Sequence, residues 1–229
     1  VQLAFQVPSL AKLGLRRRPR WRWGHEGVKK IGRLMLPAIF GSSVSQVALL
    51  LDVLIASFLA TGSIAWLYYA DRLMEFPLGV FSIALATVIL PGLAAHHAAQ
   101  APDRFTATLD WALRLVVVVV LPATAALIVL AGPLTVTLFH YGEFNALDVR
   151  MAALALTAYA SGLLAFSMVK VLAPGYFARQ DTRTPVRIGI QALSVNMALN
   201  LLVVLPLAFA YPDRPGLHAL LALNNAIGA

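Results

Sequence analysis

Long apolar runs separated by short polar or charged stretches set the layout of this chain. Leu34–Ala60, Trp66–Ala94, Asp110–Phe139, Ala152–Pro174 and Ile188–Ala210 each predict a helix able to cross a bilayer, and Leu217–Ala229 opens a further span. At about 1.5 Å of rise per residue the first run reaches about 40 Å, against roughly 30 Å of hydrocarbon. Val1–Leu10 is apolar but too short to span alone, and reads as the last turns of a preceding membrane helix. The five valines Val116–Val120 would suit a buried strand in a soluble protein, but the apolar stretch around them is too long for one, so a helix is predicted there too.

The interruptions within these runs are as informative as the runs. Pro37 and Gly41-Ser42-Ser43 predict a bend near the start of the first span, and Pro77, Pro91-Gly92 and Pro122 predict breaks or kinks further on. Ser42, Ser45, Gln46 and Asp52 broadly share one side of the first helix, which should face protein or a wet cavity rather than lipid. Gln191, Ser194, Asn196 and Asn200 lie inside the fifth span, where Asn196 and Asn200 read as hydrogen-bonding links to other helices. The stretch from Tyr68 to Gly79 places Asp71, Arg72 and Glu75 close together between apolar runs. Charges at that depth need a partner, water or a function.

Composition sharpens the membrane reading. Sixty per cent of the 229 residues are hydrophobic and 12% are charged, where a soluble domain has about 25% charged residues. Mean hydropathy is +0.79. The expected class is an all-α, polytopic membrane protein. The absence of cysteine excludes disulfide and thiol chemistry. No nucleophile sits near a credible base, no glycine loop suits phosphate, and the His96-His97 pair lacks metal-ligand spacing. Neither catalysis nor a cofactor nor a metal site is therefore expected.

The net charge of +8 is concentrated: nine of the eighteen basic residues lie between Lys12 and Arg33, interleaved with Trp21 and Trp23. Basic residues with aromatics can bind nucleic acid. Beside a membrane helix they more often anchor a cytoplasmic segment on anionic lipid, and that reading is preferred here. The loops at Lys12–Arg33, His96–Arg104 and Tyr176–Arg187 carry nine, one and three Lys or Arg, against none, one and one at Thr61–Ala65, His140–Arg150 and Tyr211–Gly216. The first set is assigned to the cytoplasm. The predicted organisation is thus the end of a helix at 1–10, a basic cytoplasmic loop at 11–33, and a helical lobe at 34–229 with five complete spans and one truncated. Both ends read as interior positions of a longer chain.

Three stretches carry a family resemblance. Trp66-Leu-Tyr-Tyr-Ala-Asp-Arg-Leu-Met-Glu-Phe-Pro-Leu-Gly-Val80 closely resembles the MurJ (MviN) family of lipid II flippases, in the MOP exporter superfamily. Leu36-Pro-Ala-Ile-Phe-Gly-Ser-Ser43 looks like that family's seventh helix, and Lys170-Val-Leu-Ala-Pro-Gly-Tyr-Phe-Ala-Arg-Gln-Asp-Thr-Arg-Thr-Pro185 like its tenth helix and cytoplasmic exit. The resemblance implies a fourteen-helix transporter of the bacterial cytoplasmic (inner) membrane. This chain would run from the end of its sixth helix into its twelfth, most of the second of two lobes around a central cavity. It implies transport of an undecaprenyl-pyrophosphate-linked peptidoglycan precursor from the cytoplasmic to the outer leaflet, with no catalytic step, and admits a coupling ion.

The resemblance also implies that Arg72 and Glu75 match charged positions of the eighth helix and serve the substrate cavity. The chemistry agrees: a guanidinium is permanently charged and offers planar donors to pyrophosphate, while Glu75 at i+3 can hold it in place. The competing reading is an internal ion pair that satisfies the helix. Asp71 is expected on another side of the helix. Asp52, Gln46 and Ser42 are expected either at a cavity or in helix packing, and Lys170 at the membrane interface. Arg179, Asp181 and Arg183 suggest a cytoplasmic loop network that changes between transport states. Two other functions remain compatible with the pattern: a different MOP-type exporter of polysaccharide precursors or drugs, and a non-transporting membrane scaffold, which the Arg72–Glu75 pair disfavours.

Overall fold

The computed structural model describes residues 26–211 and 216–228, with several side chains between 27 and 45 outside the description. The predicted helix end at 1–10 and most of the basic stretch at 11–33 lie outside the described residues. Among the described residues six helices follow in order: α1 (Glu26–Ser57), α2 (Ser63–Ala98), α3 (Pro102–Phe139), α4 (Ala146–Ala178), α5 (Arg183–Ala210) and α6 (Leu217–Ile227). No strand occurs among the described residues, and the valine run lies within α3.

Among the described residues, α2, α3, α4 and α5 are long and apolar enough to cross a membrane, at 36, 38, 33 and 28 residues. Gln46–Ala56 of α1 and the whole of α6 are shorter apolar helices. Helix α1 already begins at Glu26, so the last eight positions of the predicted basic loop are helical, and its backbone stays helical through Pro37. Val1–Leu36 and Pro37–Ala229 are separate compact units. The described part of the first is the opening of α1, with Val28, Ile31, Met35 and Leu36 exposed.

The second unit shows how local sequence sets the helix ends. Gly62 and Gly216 precede α2 and α6 with φ of 101° and 110°. At Gly62 a Cβ would stand 2.7 Å from the Trp66 ring, so both the backbone and the neighbour require glycine. Helix α4 starts with a capping box. The Asn145 side-chain oxygen accepts the N–H groups of Leu147 (2.8 Å) and Asp148 (3.2 Å), while the Asp148 carboxylate accepts the Asn145 N–H at 2.9 Å. Proline is accommodated in two ways. Pro122 and Pro133 lie within an unbroken α-helix. Pro77 is followed by a π-helical turn at Leu78–Ile83, and a second π turn at Asn200–Val204 precedes Pro206. A proline removes one N–H and crowds the turn before it, which is where the second π turn stands relative to Pro206.

Helix α4 is the centre of this unit. In its apolar stretch 44% of residues are buried, against 17–22% in the other three long helices. Leu156, Leu163 and Val171 pack with Ala112, Val116 and Val120 of α3, Leu93 of α2 and Ala222 of α6. Gly162 brings α4 against α6 so closely that a Cβ there would lie 2.4 Å from the Ala226 Cβ. Outward-facing apolar side chains such as Val129 and Leu202, each 75% exposed, suit a lipid-facing surface.

Candidate functional site

Within the second unit, α1, α2, α4, α5 and α6 enclose an open cavity of about 870 Å³. Its polar wall holds Asp52 from α1, Asp71 from α2, Tyr159 and Lys170 from α4, Asn196 from α5 and Asn225 from α6. The remaining lining is mostly apolar, with Leu49, Leu67, Met74, Phe166 and Leu221 among it. Two carboxylates inside the helical layer, faced by one lysine among the described lining residues, give this wall the chemistry to hold a cation or a polar headgroup.

A ladder of amides fixes that wall. Asn196 and Asn200 stand one helical turn apart on α5 and therefore share a face. Asn200 donates to Asp52 Oδ1 at 3.0 Å and to Asn196 Oδ1 at 3.1 Å, and its own oxygen accepts from Asn224 Nδ2 at 2.9 Å. Asn196 donates to Asn225 Oδ1 at 2.7 Å. Asn225 lines the same cavity wall as Asp52 and Tyr159. Asn200 is fully buried. A buried amide left unpaired costs about 1–3 kcal/mol, so the ladder holds α1, α5 and α6 in one register. The sequence reading of Asn196 and Asn200 as interhelical links describes this arrangement.

Arg72 and Glu75 form an ion pair at 2.7 Å, with side chains 55% and 50% exposed. The guanidinium also lies over the Tyr68 ring, 5.0 Å from its centre. Neither residue lines the cavity, whereas Tyr68 and Asp71 do. Asp71, expected on another side of the helix from the Arg72–Glu75 pair, is the member of this charged trio that lines the cavity. Successive helical residues turn by about 100°, so Asp71 follows the buried face with Ala70 and Met74, while Arg72 and Glu75 project from an adjoining face left open by this chain.

The other predicted positions separate in the same way. Asp52 is on the cavity wall; Gln46 is exposed and away from it, and the Ser42 side chain is outside the description. Lys170, expected at the membrane interface, lines the cavity. Tyr159 and Asn225 complete the wall without belonging to any motif of the sequence. A tyrosine within an alanine-rich helix and an Asn-Asn pair in a short apolar helix are the signals that mark them.

The turn between α4 and α5 does not form a shared side-chain network. Arg179 places its guanidinium over Phe105, 4.4 Å from the ring centre. Asp181 accepts the backbone N–H groups of Arg183 and Thr184, both at 3.0 Å, and the Thr184 hydroxyl. Those bonds, the hydroxyl first, hold the Asp181 carboxyl below its ordinary pKa. Arg183 contributes its backbone and a nearby charge rather than a side-chain bond. Among the described residues no group of three or more acidic or histidine side chains has the arrangement of a metal centre.

Comparison with known proteins gives this architecture its relatives. The profile of the family described as "Lipid II flippase MurJ" matches residues 1–211. A probable lipid II flippase MurJ of Vibrio cholerae is 56% identical over 200 residues, covering 87% of this chain and 38% of that protein. A probable lipid II flippase MurJ of Haemophilus influenzae is 50% identical over 232 residues, covering 99% of this chain and 45% of the relative. A lipid II flippase MurJ of Burkholderia cenocepacia is 40% identical over 235 residues, covering all of this chain and 43% of the relative. The chain therefore spans less than half the length of these curated relatives. A solved structure of "Lipid II flippase MurJ, inward closed conformation" shares the fold with a TM-score of 0.73 at 23% identity, over 98% of this chain and 45% of that one. With its long apolar helices and these relatives, the chain is an all-α, multi-pass inner-membrane protein, and it belongs to the MurJ (MviN) lipid II flippase family of the MOP superfamily.

Proposed function

We infer that this chain forms most of the second lobe of a transporter that moves lipid II from the cytoplasmic to the outer leaflet by alternating access. The reading is transport, not catalysis. A long lipid tail can stay in the membrane while its pyrophosphate, sugar and peptide head crosses a polar cavity, which removes the main cost of taking charge through hydrocarbon. Two lobes that rock against each other would open such a cavity to each side in turn.

The observation that carries this reading is Arg72: a permanently charged guanidinium half exposed in a spanning helix, braced by Glu75 at 2.7 Å and by the Tyr68 ring. Its fork is held from one side and still has donors for an anion, as pyrophosphate recognition needs. Glu75 serves as its positioning partner. In the same reading Asp52, Asp71 and the amide ladder form a negative wall where a coupling cation would be held, and Arg179, Asp181 and Arg183 belong to the turn that moves with the lobes. The membrane potential would help reset a positively charged substrate site, since one charge moved through 100 mV is worth about 2.3 kcal/mol.

The test is a precursor-flipping assay on the full-length protein. Arg72→Ala should abolish flipping while the protein remains folded in the membrane, and Arg72→Lys, which keeps the charge but loses the fork, should fall between it and the wild type. Normal flipping by Arg72→Ala would remove Arg72 from the mechanism. Export of a drug with no effect on precursor distribution would favour a different MOP-type exporter.

A further inference from the structure

A second pocket, of about 360 Å³, opens where α2 begins, α3 ends and α4 begins. It is separate from the amide-lined cavity and shares none of its lining residues. The rings of Trp66, Tyr69, Phe139, Tyr141 and Phe144 form its walls. Tyr69 lies 4.7 Å from Phe139 at 44° and 5.2 Å from Phe144 at 81°, and Phe139 and Phe144 are 6.2 Å apart at 57°. The rings are therefore interlocked at steep angles rather than stacked, and such a cluster turns more than one electron-rich face toward a neighbour.

Two carboxylates complete the pocket. Asp148 is pinned: its Oδ1 accepts the Trp66 indole N–H at 2.8 Å and its Oδ2 accepts the Asn145 N–H at 2.9 Å. Glu143 is exposed on the rim, beside Gly142 with φ of 63°, and makes no ion pair or hydrogen bond among the described residues. Among the described residues, no lysine, arginine or histidine lines the pocket. Behind the wall, the His218 ring sits 4.9 Å from Trp66 and its Nε2 lies 3.0 Å from the Met151 carbonyl oxygen, which fixes the indole from its far side. Ring faces and carboxylates attract the same kind of guest, an organic cation. The volume compares with about 30 Å³ for one water, enough for a small alkylammonium group with part of its hydration.

We propose that this pocket binds a primary ammonium group, presented by the headgroup of an aminophospholipid or by a soluble amine. Glu143 supplies the charge that draws it in, and the faces of Tyr69 and its neighbouring rings receive it. The pocket lies at the helix ends opposite the α4–α5 turn, and on the charge-derived topology this is the outer surface of the membrane. The proposal stands apart from the transport reading, because binding is measured with no precursor present.

The experiment uses the full-length protein labelled with 5-fluorotryptophan in phosphatidylglycerol nanodiscs, with the Trp66 fluorine resonance assigned through Trp66→Phe. In one arm ethanolamine is titrated against sodium chloride of matched ionic strength. In the other, phosphatidylethanolamine replaces phosphatidylglycerol stepwise. The expected result is a saturable shift of the Trp66 signal, with the Trp111 signal unmoved. Glu143→Gln should weaken apparent affinity about tenfold, as the loss of one charge-assisted contact predicts, and Glu143→Lys should abolish the shift. Glu143 is exposed, so both variants should keep the wild-type unfolding midpoint. A shift with the lipid alone identifies a headgroup site, and a shift with ethanolamine alone identifies a soluble amine. No selective shift in either arm, or an unchanged titration in Glu143→Gln, would overturn the proposal.

Discussion

The helices of the second unit meet through two kinds of surface, and the contrast separates what is rigid here from what can open. From α4 toward α3, and toward the part of α6 that carries Ala222 and Ala226, the contact is dry, made of Leu156, Leu163, Val171 and the Gly162–Ala226 crossing. Toward the cavity, α1, α5 and α6 are joined by directional bonds among Asp52, Asn196, Asn200, Asn224 and Asn225. Close packing is either present or lost, because a gap of an ångström already forfeits much of the dispersion energy. Hydrogen bonds between amides can instead be exchanged for bonds to water or to a ligand. The packed side therefore behaves as a scaffold and the amide side as a seam.

The strongest way to break this contrast is at the scaffold. Gly162→Leu cannot fit against Ala226 without separating α4 from α6, and the expected outcome is loss of folded full-length protein from detergent extracts, read by size-exclusion chromatography. Gly162→Ala adds only one methyl group, but its Cβ would meet the Ala226 Cβ at 2.4 Å. Overpacking of that kind costs about 1–3 kcal/mol. A wild-type unfolding midpoint for Gly162→Ala would show that the crossing tolerates displacement and that α4 is no rigid centre.

A smaller effect is expected at the seam. Asp52→Ala leaves one N–H of the fully buried Asn200 side chain without its acceptor, at a cost of about 1–3 kcal/mol. Asp52→Asn keeps an oxygen in the same place and should recover most of that stability while removing the negative charge. Unfolding midpoints of the two variants separate the acceptor from the charge. Equal losses in both would mean that the charge, rather than the hydrogen bond, holds the seam together.

The spans were legible because a bilayer crossing imposes a minimum length of apolar residues that few other constraints imitate. Leu34, Trp66, Asp110, Ala152 and Ile188 were expected as starts, and the helices begin earlier, at Glu26, Ser63, Pro102, Ala146 and Arg183. Hydropathy marks the hydrocarbon, whereas caps and turns mark the helix. The Asn145–Asp148 capping box and the left-handed Gly62 set these ends with polar or achiral residues that an apolar count passes over. The site was legible in kind but not in detail. Asp71 and Arg72 are neighbours in sequence and differ by one helical step, and only the packing of Ala70 and Met74 decides which of them turns to the cavity. The amide ladder draws on α1, α5 and α6, and no local pattern aligns Asp52 with Asn200 across 148 residues.

The smallest expected effect lies at the turn that joins scaffold to seam. Asp181 sits between α4 and α5 and ties the first turn of α5 through the N–H groups of Arg183 and Thr184. These bonds favour the ionised carboxyl and lower its pKa from the ordinary value. A depressed carboxyl contributes stability that is present above the unfolded-state pKa, near 3.8, and is lost as pH falls through the lower folded-state value. The turn should therefore keep its full protection at neutral pH and loosen only under acid. Asp181→Ala removes the acceptor at every pH, so amide exchange at Arg183 and Thr184 should quicken at pH 7, with the exchange of α4 unchanged. Asp181→Asn keeps an acceptor without the titration, so its exchange at pH 7 should stay closer to the wild type. If Asp181→Ala also accelerates exchange within α4, the turn is part of the scaffold, and the division between packed centre and hydrogen-bonded seam must be moved to the far side of Thr184.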